Sequence, residues 1–388
     1  MYLRRLQLTA FRNYLQLDLS LPRGNLLFLG ANAQGKSNLL EAVYLLANGR
    51  SGRAASEAEM ISWEAEADPQ PVARVTGAVE RRTGSLQLEV IIAGPSPKTG
   101  ARAGKRLRVN GIPRRAADFV GNLRAVQFTA EDMAIITGPP SERRRFLDEM
   151  LSQLDRRYYT AGQQYARVLQ QRNAVLKRIK EGIGAPDELD FWDDRLVQEG
   201  AIIVQARARA CASLAALAAA FHRDLSGDAM EALDLEYWPR LAADESWRPE
   251  APAGLEDFQA MLAGGLQRAR RREIAAGMSL VGPHRDEVAL RINGASAGSF
   301  GSRAQVRTAT LSLRLAEARI LERDITDPPV LLLDDIVSEL DEARRRSVLA
   351  TIADFDQVWF TATDTHGFDP GFMAAAITFR VDAGTISA

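Results

Sequence analysis

The chain has 388 residues and a formal net charge of −1, with 46% hydrophobic and 26% charged residues. This balance is typical of a folded chain with one large or two unequal domains, and it excludes a disordered or collagen-like protein. The single cysteine, Cys211, excludes a disulfide scaffold and a cysteine-based metal site. No stretch approaches the roughly 20 consecutive apolar residues of a membrane span, so we expect a cytoplasmic protein without a membrane partner.

The N-terminal zone, from Tyr2 to about Ile92, is rich in strand patterns. Leucines alternate with polar residues over 15–19, which predicts a half-buried antiparallel strand. The continuous apolar run over 26–29 instead predicts a central strand buried on both faces. A glycine-rich loop and an apolar pattern of helical spacing follow directly. The predicted order is therefore strand, loop, helix.

The middle of the chain has a different pattern. After a basic, loop-like stretch over 94–115 and a short strand at Val126–Phe128, nearly everything up to about Ala276 has a helical pattern. Turn-rich pieces interrupt it at Gly182–Pro186 and Arg248–Gly254. Heptads are not sustained, so a long coiled coil is not expected. We predict a separate helical domain.

Strand patterns return in the C-terminal zone as DEVALRING, PVLLLDD and QVWFTAT, separated by two helical patterns. Neither terminal zone has enough strands for a closed α/β core, so the simplest arrangement joins both zones in one sheet. We therefore predict an α/β fold with a mixed β-sheet, split in sequence by an inserted, mostly helical arm. The predicted domains are a head formed by 1–130 and 277–388 and an arm formed by 131–276.

A complete G-x-x-x-x-G-K-S motif lies between the predicted buried strand and the first helix. Its glycines let backbone N–H groups and the helix N-terminus face a phosphate. Lysine at the seventh position reaches the β and γ phosphates, and the serine hydroxyl is a ligand for Mg²⁺. The motif predicts an ATP site formed by Gly30, Ala31, Asn32, Ala33, Gln34, Gly35, Lys36 and Ser37.

A second motif ends the apolar strand PVLLLDD with two carboxylates. In ATPases with a phosphate loop, the first carboxylate holds Mg²⁺ and the second polarises the attacking water. We therefore predict that Asp334 joins Ser37 as a metal ligand and that Lys36, Asp334 and Asp335 are catalytic. The two motifs lie about 300 residues apart, which indicates a large insertion between them.

Ser302 and Gln305 precede the second motif with the spacing of a capping box. The positive end of such a helix could face a nucleotide bound to another subunit, and a plain capped helix is the alternative.

Together these segments resemble the RecF family of bacterial recombination mediator ATPases, which is related to chromosome-maintenance and ABC-type ATPases. The resemblance extends through almost the whole chain. It is carried by the phosphate loop and by FRNY at 11–14, GRSGR at 49–53, VQFTAEDMAIITGPPSERRRFLD at 126–148, LQQRNAVLK at 169–177, FWD at 191–193, GPHRDE at 282–287, GSRAQVRT at 301–308 and LLLDDIVSELD at 331–341.

The resemblance implies an ABC/SMC-like head and a homodimer that forms when ATP binds. Each nucleotide would lie between the phosphate loop of one copy and Ser302 and Gln305 of the other, with 338–341 crossing the interface. It also implies slow ATP hydrolysis, binding to gapped or single-strand/double-strand junction DNA, and action with RecR and RecO in loading RecA. Two positions depart from the family pattern: Ala304 stands where a glycine is usual, and Gly52 where a bulkier residue is usual.

The DNA contacts are less well defined by the sequence. Basic clusters occur at 143–145 and at 268–272, and clustered cations are what phosphate contacts require. The alternative is a solvated helix face paired with Glu142, Asp148 and Glu273. His284 and Arg285 are likewise either a functional loop or a capped structural turn.

Two other functions remain possible for an ABC-type head. A transporter subunit is disfavoured by the long separation of the two motifs. A nuclease head of the overcoming-lysogenisation type needs a further acidic metal cluster, and fewer than about 50 residues follow Asp341.

Overall fold

The computed structural model describes residues 1–65, 70–95, 103–228, 230–242, 254–323 and 327–387. Part of the predicted basic loop, over 96–102, and the predicted turn-rich piece at 248–253 lie outside the described residues.

The strands are β1 (Tyr2–Phe11), β2 (Tyr14–Ser20), β3 (Gly24–Leu29), β4 (Val72–Arg81), β5 (Gly84–Ala93), β6 (Gly104–Val109), β7 (Ile112–Arg114), β8 (Ala125–Phe128), β9 (Leu233–Trp238), β10 (Glu287–Ile292), β11 (Ala295–Ser296), β12 (Val330–Asp334), β13 (Gln357–Ala362), β14 (Ile377–Asp382) and β15 (Thr385–Ser387).

The α-helices are α1 (Lys36–Asn48), α2 (Ala116–Phe119), α3 (Ala134–Thr137), α4 (Pro140–Leu154), α5 (Arg156–Lys180), α6 (Asp190–Ser226), α7 (Leu255–Ala276), α8 (Ala297–Phe300), α9 (Arg303–Arg323), α10 (Glu342–Ile352) and α11 (Pro370–Ala375). Short 3₁₀ turns cover Glu57–Met60, Trp63–Ala65, Ala130–Met133, Pro186–Leu189, Pro283–Arg285 and Val337–Glu339.

The chain divides into two compact units: 1–132 with 314–388, and 133–313. In the first unit, one sheet has the strand order β15-β14-β3-β13-β12-β8, so N-terminal and C-terminal strands share it as predicted. Strand β3 pairs in parallel with β13 and β14. Its residues Leu26, Leu27 and Phe28 are fully buried, which confirms the predicted central strand.

The second sheet of this unit is antiparallel and has the order β2-β1-β4-β5-β6-β7. Helix α1 packs against strands of both sheets. The apolar residues of the helix, among them Leu39, Leu40 and Val43, form one core with Leu3 and Leu6 of β1. Burial of this apolar surface is the main favourable contribution that holds the loop before α1 in place.

The second unit contains the arm helices α4–α7 and a three-stranded antiparallel sheet of order β11-β10-β9. It runs on to Leu313, beyond the predicted boundary at 276. The physical cause is that β10, the DEVALRING segment, pairs along its length with β9. Since β9 lies in the zone that the sequence predicted to be almost wholly helical, this strand and its pairing correct that prediction.

Helix α6 lies in a stretch, Pro186–Ser226, that is long and apolar enough to pass a length-and-composition test for a membrane span. About 44% of its apolar window is buried inside the protein. The helix packs against α5, α7 and β9 of the same unit. This packing is that of a core helix of a folded unit.

Candidate nucleotide-binding site

The phosphate loop lies in the first unit between β3 and α1, as the motif predicted. Its turn needs unusual backbone conformations, with φ values of 64° at Ala33 and 112° at Gly35. A Cβ atom at Gly35 would lie 2.5 Å from the side-chain nitrogen of Asn13, so only glycine fits there. The loop therefore surrounds the N-terminus of α1. The partial positive charge of this helix end favours binding of an anion.

Side chains from other segments hold the loop in this shape. The Tyr14 hydroxyl donates to the carbonyl of Gly35 (3.0 Å), and Asn13 Nδ2 donates to the carbonyl of Gln34 (3.0 Å). Asn38 Nδ2 in turn donates to Asn13 Oδ1 (2.8 Å). Sequence analysis recorded the FRNY segment as a family match but gave these residues no role, because only the folded chain shows which backbone atoms they reach.

The C-terminal hairpin adds a further support. The backbone N–H groups of Ala383 and Gly384 donate to the side-chain and backbone oxygens of Gln34, at 2.7 and 3.1 Å. Because these contacts are fixed by the folded chain, the loop is preorganised for its ligand.

The two predicted carboxylates lie at the carboxyl end of β12, beside the phosphate loop. Asp334 Oδ1 accepts from the Ser37 hydroxyl (3.0 Å) and from the Thr361 hydroxyl (2.8 Å). The Thr361 hydroxyl also accepts from the Asp335 N–H (2.9 Å), and Asp335 Oδ1 accepts from the Ser338 hydroxyl (2.8 Å). Asp335 has a positive φ of 56°, in the left-handed region that few non-glycine residues adopt. The structure thus brings Ser37, Asp334 and Asp335 together; Thr361 had no sequence signal.

Lys36 lies at the start of α1 and donates to the carbonyls of Gly30 (2.5 Å) and Ala31 (2.9 Å). Burial lowers the pKa of its ammonium group, and the nearby carboxylates of Asp335 and Asp334 oppose that shift. The lysine is therefore a partly desolvated cation between the loop and the carboxylates, where its charge acts at low dielectric.

A cleft of about 250 Å³ connects these groups; it is lined by Asn32, Ala33, Gly35, Lys36, Ser37, Asn38, Arg53, Asp334 and Asp335. Arg53 is a cation that the sequence did not assign to the site. Its loop is held by the Ser51 hydroxyl, which accepts from the N–H groups of Arg53 (3.0 Å) and Ala54 (2.9 Å). At the preceding position, a Cβ on Gly52 would lie 3.4 Å from the Tyr44 ring, an ordinary van der Waals contact, so the loop does not require glycine there.

The donor set fits a magnesium nucleotide. Ser37 and Asp334 offer the hard oxygen atoms that Mg²⁺ prefers, and magnesium takes its remaining ligands from phosphates and water. Among the described residues, no group of three or more His, Cys, Asp or Glu side chains could hold a metal ion by itself. The phosphate oxygens of a nucleotide would therefore share the ion with these two residues.

Ser302 and Gln305 lie in the second unit, at the start of α9. The Ser302 N–H donates to Gln305 Oε1 (2.9 Å), and the Gln305 N–H donates to the Ser302 hydroxyl (3.2 Å). This reciprocal pair confirms the predicted capping box. Gln305 Nε2 also donates to Glu231 Oε2 (2.7 Å), while Ser302 and Ala304 are exposed.

The first of the two predicted DNA-binding clusters is part of the second unit's own structure. Arg143 makes a bidentate ion pair with Glu287 (2.7 and 3.0 Å), and Arg144 donates to the carbonyl of Asp286 (2.8 Å). Arg145 pairs with Glu142 (2.5 Å) on the same helix, as the alternative of a paired helix face predicted. These three arginines therefore form ion pairs or hydrogen bonds within the second unit.

The second basic cluster is only partly engaged. Arg270 pairs with Asp190 and with Asp193 (3.3 Å), whereas Arg268 and Arg271 are exposed on α7. The cluster at 268–272 therefore contains both an arginine that is paired within the unit and arginines that are exposed to solvent.

The GPHRDE segment forms a structural turn. Asp286 is buried and accepts from Arg207 (2.9 Å), from the Arg240 N–H (2.8 Å) and from the Tyr237 hydroxyl. His284 Nδ1 lies 2.7 Å from the Tyr165 hydroxyl, and its Nε2 lies 3.2 Å from the carbonyl of Ser279. The capped structural turn, one of the two alternatives left by the sequence, accounts for these contacts.

The family model and the relatives that match this chain all point to one protein family. The family model described as "RecF/RecN/SMC N terminal domain" matches residues 2–378. The DNA replication and repair protein RecF of Herpetosiphon aurantiacus is 41% identical over all of this chain and 99% of the relative. The RecF protein of Roseiflexus castenholzii is 42% identical over 99% of each chain.

Solved structures of related proteins resemble the structure of this chain. The structure described as the recombination mediator protein RecF with ATP in the RecFOR pathway has a TM-score of 0.86 and 30% identity, covering 100% of this chain and 97% of that one. An Smc head bound to the C-terminal winged-helix domain of ScpA has a TM-score of 0.52 and 14% identity, with the same coverage of each chain, and shows the shared fold alone.

Proposed function

The chain belongs to the RecF family, and on that basis we propose that it is an ATP-dependent, DNA-binding recombination mediator in DNA repair and replication. ATP binding drives two copies together on gapped or junction DNA, and slow, DNA-stimulated hydrolysis releases them. With RecR and RecO as partners, the dimer promotes loading of RecA in the cytoplasm. The observation that carries this proposal is the hydrogen bond between Ser37 and Asp334 beside Lys36 in one cleft.

The residues of the cleft divide the ATPase chemistry among them. Lys36 neutralises charge on the β and γ phosphates, and the loop N–H groups orient them. Ser37 and Asp334 would hold Mg²⁺, which neutralises the charge that develops on the phosphates during transfer. Asp335 orients and polarises the attacking water. Its positive φ and its contact with Ser338 hold the carboxylate in one position, which supports this role.

Ser302 and Gln305 act on the nucleotide of the second copy. Support for this role is local: the capping box orients the first turn of α9, whose N–H groups carry partial positive charge, and the start of the helix is exposed. Gln305 would exchange its bond to Glu231 for a phosphate oxygen when the second copy docks.

Light scattering tests the proposal. We expect the molar mass of the full chain to double with ATP and Mg²⁺, to stay unchanged with ADP, and to double more readily when a gapped duplex is present. Lys36→Ala should remove the ATP response, whereas Lys180→Ala, an exposed lysine on α5, is the matched control and should respond to ATP in the absence of DNA like the wild type.

Two results would contradict the proposal. If the molar mass of the wild type does not change at a saturating concentration of ATP, the proposed ATP-driven dimerisation is wrong. If the Lys36→Ala variant hydrolyses ATP at the wild-type rate, the catalytic role assigned to Lys36 is wrong.

A further inference from the structure

Helix α5 has an unusual charge pattern for its length. Its 25 residues, Arg156–Lys180, include seven Arg or Lys residues and no Asp or Glu. The other long helices of the second unit, α4, α6 and α7, all contain acidic residues. A surface helix usually interleaves both signs of charge, because alternating pairs at helical spacing stabilise it. A helix with cations alone indicates an anionic partner outside the helix.

The helix separates its two faces cleanly. Its buried residues are apolar with one exception and lie on one side: Tyr158, Ala161, Tyr165, Val168, Arg172, Val175 and Leu176. The exception, Arg172, is neutralised by Glu273 (2.7 Å) and Asp193 (2.6 Å) in the unit's interior. The opposite side carries the exposed residues Gln163, Arg167, Gln170, Lys177 and Arg178, which we call the basic face.

The charges of the basic face are weakly engaged within the chain. Arg167 forms no ion pair with any residue in the part of the chain that the structure describes. Lys177 lies 4.0 Å from Glu181 and Arg178 lies 3.3 Å from Glu188, and both pairs are largely exposed to solvent. Exposed pairs of this kind contribute little to stability, so an outside anion can replace them at little cost.

We propose that the basic face of α5 binds the phosphate backbone of duplex DNA. From Gln163 to Arg178 the basic face extends about 23 Å at 1.5 Å per residue, which is about two thirds of one turn of duplex. The cations Arg167, Lys177 and Arg178 can therefore contact neighbouring phosphates, and the glutamine amides add donors to phosphate oxygens. The inference rests on the proposed DNA-binding function and names the surface that performs it.

Fluorescence anisotropy with a 30-base-pair duplex, and separately with one of its single strands, tests the inference on the full chain over a salt series. The double variant Arg167→Gln/Lys177→Gln neutralises the face. Its matched control is Arg209→Gln/Arg223→Gln, two exposed cations on the neighbouring helix α6. Thermal melting of each variant establishes that the fold is intact, since surface changes should leave the melting temperature nearly unchanged.

We expect the α5 variant to bind duplex at least ~10-fold more weakly at about 0.1 M salt. The slope of log K against log salt should fall in magnitude by about 0.9 for each lost contact. The control should match the wild type. Equal affinities of the α5 variant and the control would overturn the inference, as would a loss confined to the single strand. Failure of the wild type to bind either DNA would instead reject the proposed function.

Discussion

The nucleotide cleft of the first unit and the buried ionic cluster of the second unit both gather charged side chains from distant parts of the chain. In the cleft, Asp334 accepts hydrogen bonds from two hydroxyl groups, so its charge stays available to a cation outside the protein. In the second unit, Arg207 is neutralised by Asp148 and Asp286 and surrounded by Tyr158 and Tyr237.

The difference shows how a charged motif can be assigned to a site or to the fold. A carboxylate held by neutral donors retains its capacity for a ligand, whereas one held by a buried guanidinium has already used that capacity. By this criterion we assign the LLLDD segment to the proposed site and the GPHRDE segment, despite its specific sequence, to the core of the arm.

The largest expected effect concerns the buried cluster. Arg207→Met should destabilise the full chain by about 3 to 5 kcal/mol, because Asp286 remains buried without a compensating charge. Thermal and urea unfolding measure the loss. Arg209→Met, an exposed position on the same helix, is the control and should change stability by less than about 0.5 kcal/mol. A cost below about 1 kcal/mol for Arg207→Met would contradict a structural role for the cluster.

The cleft should respond in the opposite manner, with activity lost and fold retained. Asp334→Asn keeps an acceptor for Thr361 but removes the charge that would hold Mg²⁺, so we expect kcat for ATP hydrolysis to fall by about 100- to 1000-fold. The melting temperature should hardly change. Asp354→Asn, at an exposed carboxylate after α10, is the matched control for a lost charge. A variant at 334 with normal turnover would show that another group holds the metal.

The contrast also explains what the sequence could predict. The order strand, glycine-rich loop, helix and the paired aspartates follow from local patterns whose chemistry depends on neighbouring residues in the chain. The supports of the loop do not: Tyr14 reaches Gly35, and Ala383 reaches Gln34 from the far end of the chain. Likewise the pairing of β9 with β10 joins segments some 50 residues apart, and no periodicity within either segment indicates its partner.

A smaller effect separates the two alternatives for the GPHRDE turn. Burial lowers the pKa of His284 to about 4, and the nearby cations Arg285 and Arg144 contribute in the same direction. The folded chain thus holds the imidazole neutral, whereas the unfolded chain protonates it near its ordinary pKa of about 6.5. This contribution to stability is complete above about pH 6.5 and is lost as the pH falls towards 4.

His284→Gln should therefore flatten the pH dependence of the urea midpoint between pH 6.5 and 4, by an amount equivalent to about 1 to 3 kcal/mol. His366→Gln, at a histidine that is 94% exposed, should leave the profile unchanged. Identical profiles for His284→Gln and the wild type would mean that the imidazole is free to protonate in the folded chain, as expected of a solvent-exposed functional loop.

The smallest expected effect lies at Ala304, where the family pattern has glycine. The residue is exposed in the first turn of α9, next to the capping box. In the proposed dimer its methyl group would crowd a phosphate that approaches the helix end, so we expect ATP-driven dimerisation to be weakened but not abolished in the wild type. Ala304→Gly should lower the ATP concentration for half-maximal dimer formation by a few-fold in light scattering, although glycine costs the helix up to about 1 kcal/mol.

Ala212→Gly on α6 reproduces the same loss of helix propensity at an exposed position outside the capping box. If both variants shift dimerisation equally, the effect comes from general helix stability. A shift confined to Ala304→Gly would instead assign it to the space at the start of α9. An unchanged ATP response in Ala304→Gly would separate this helix start from the nucleotide altogether, and the capping box would then belong, like the GPHRDE turn, to the fold of the second unit.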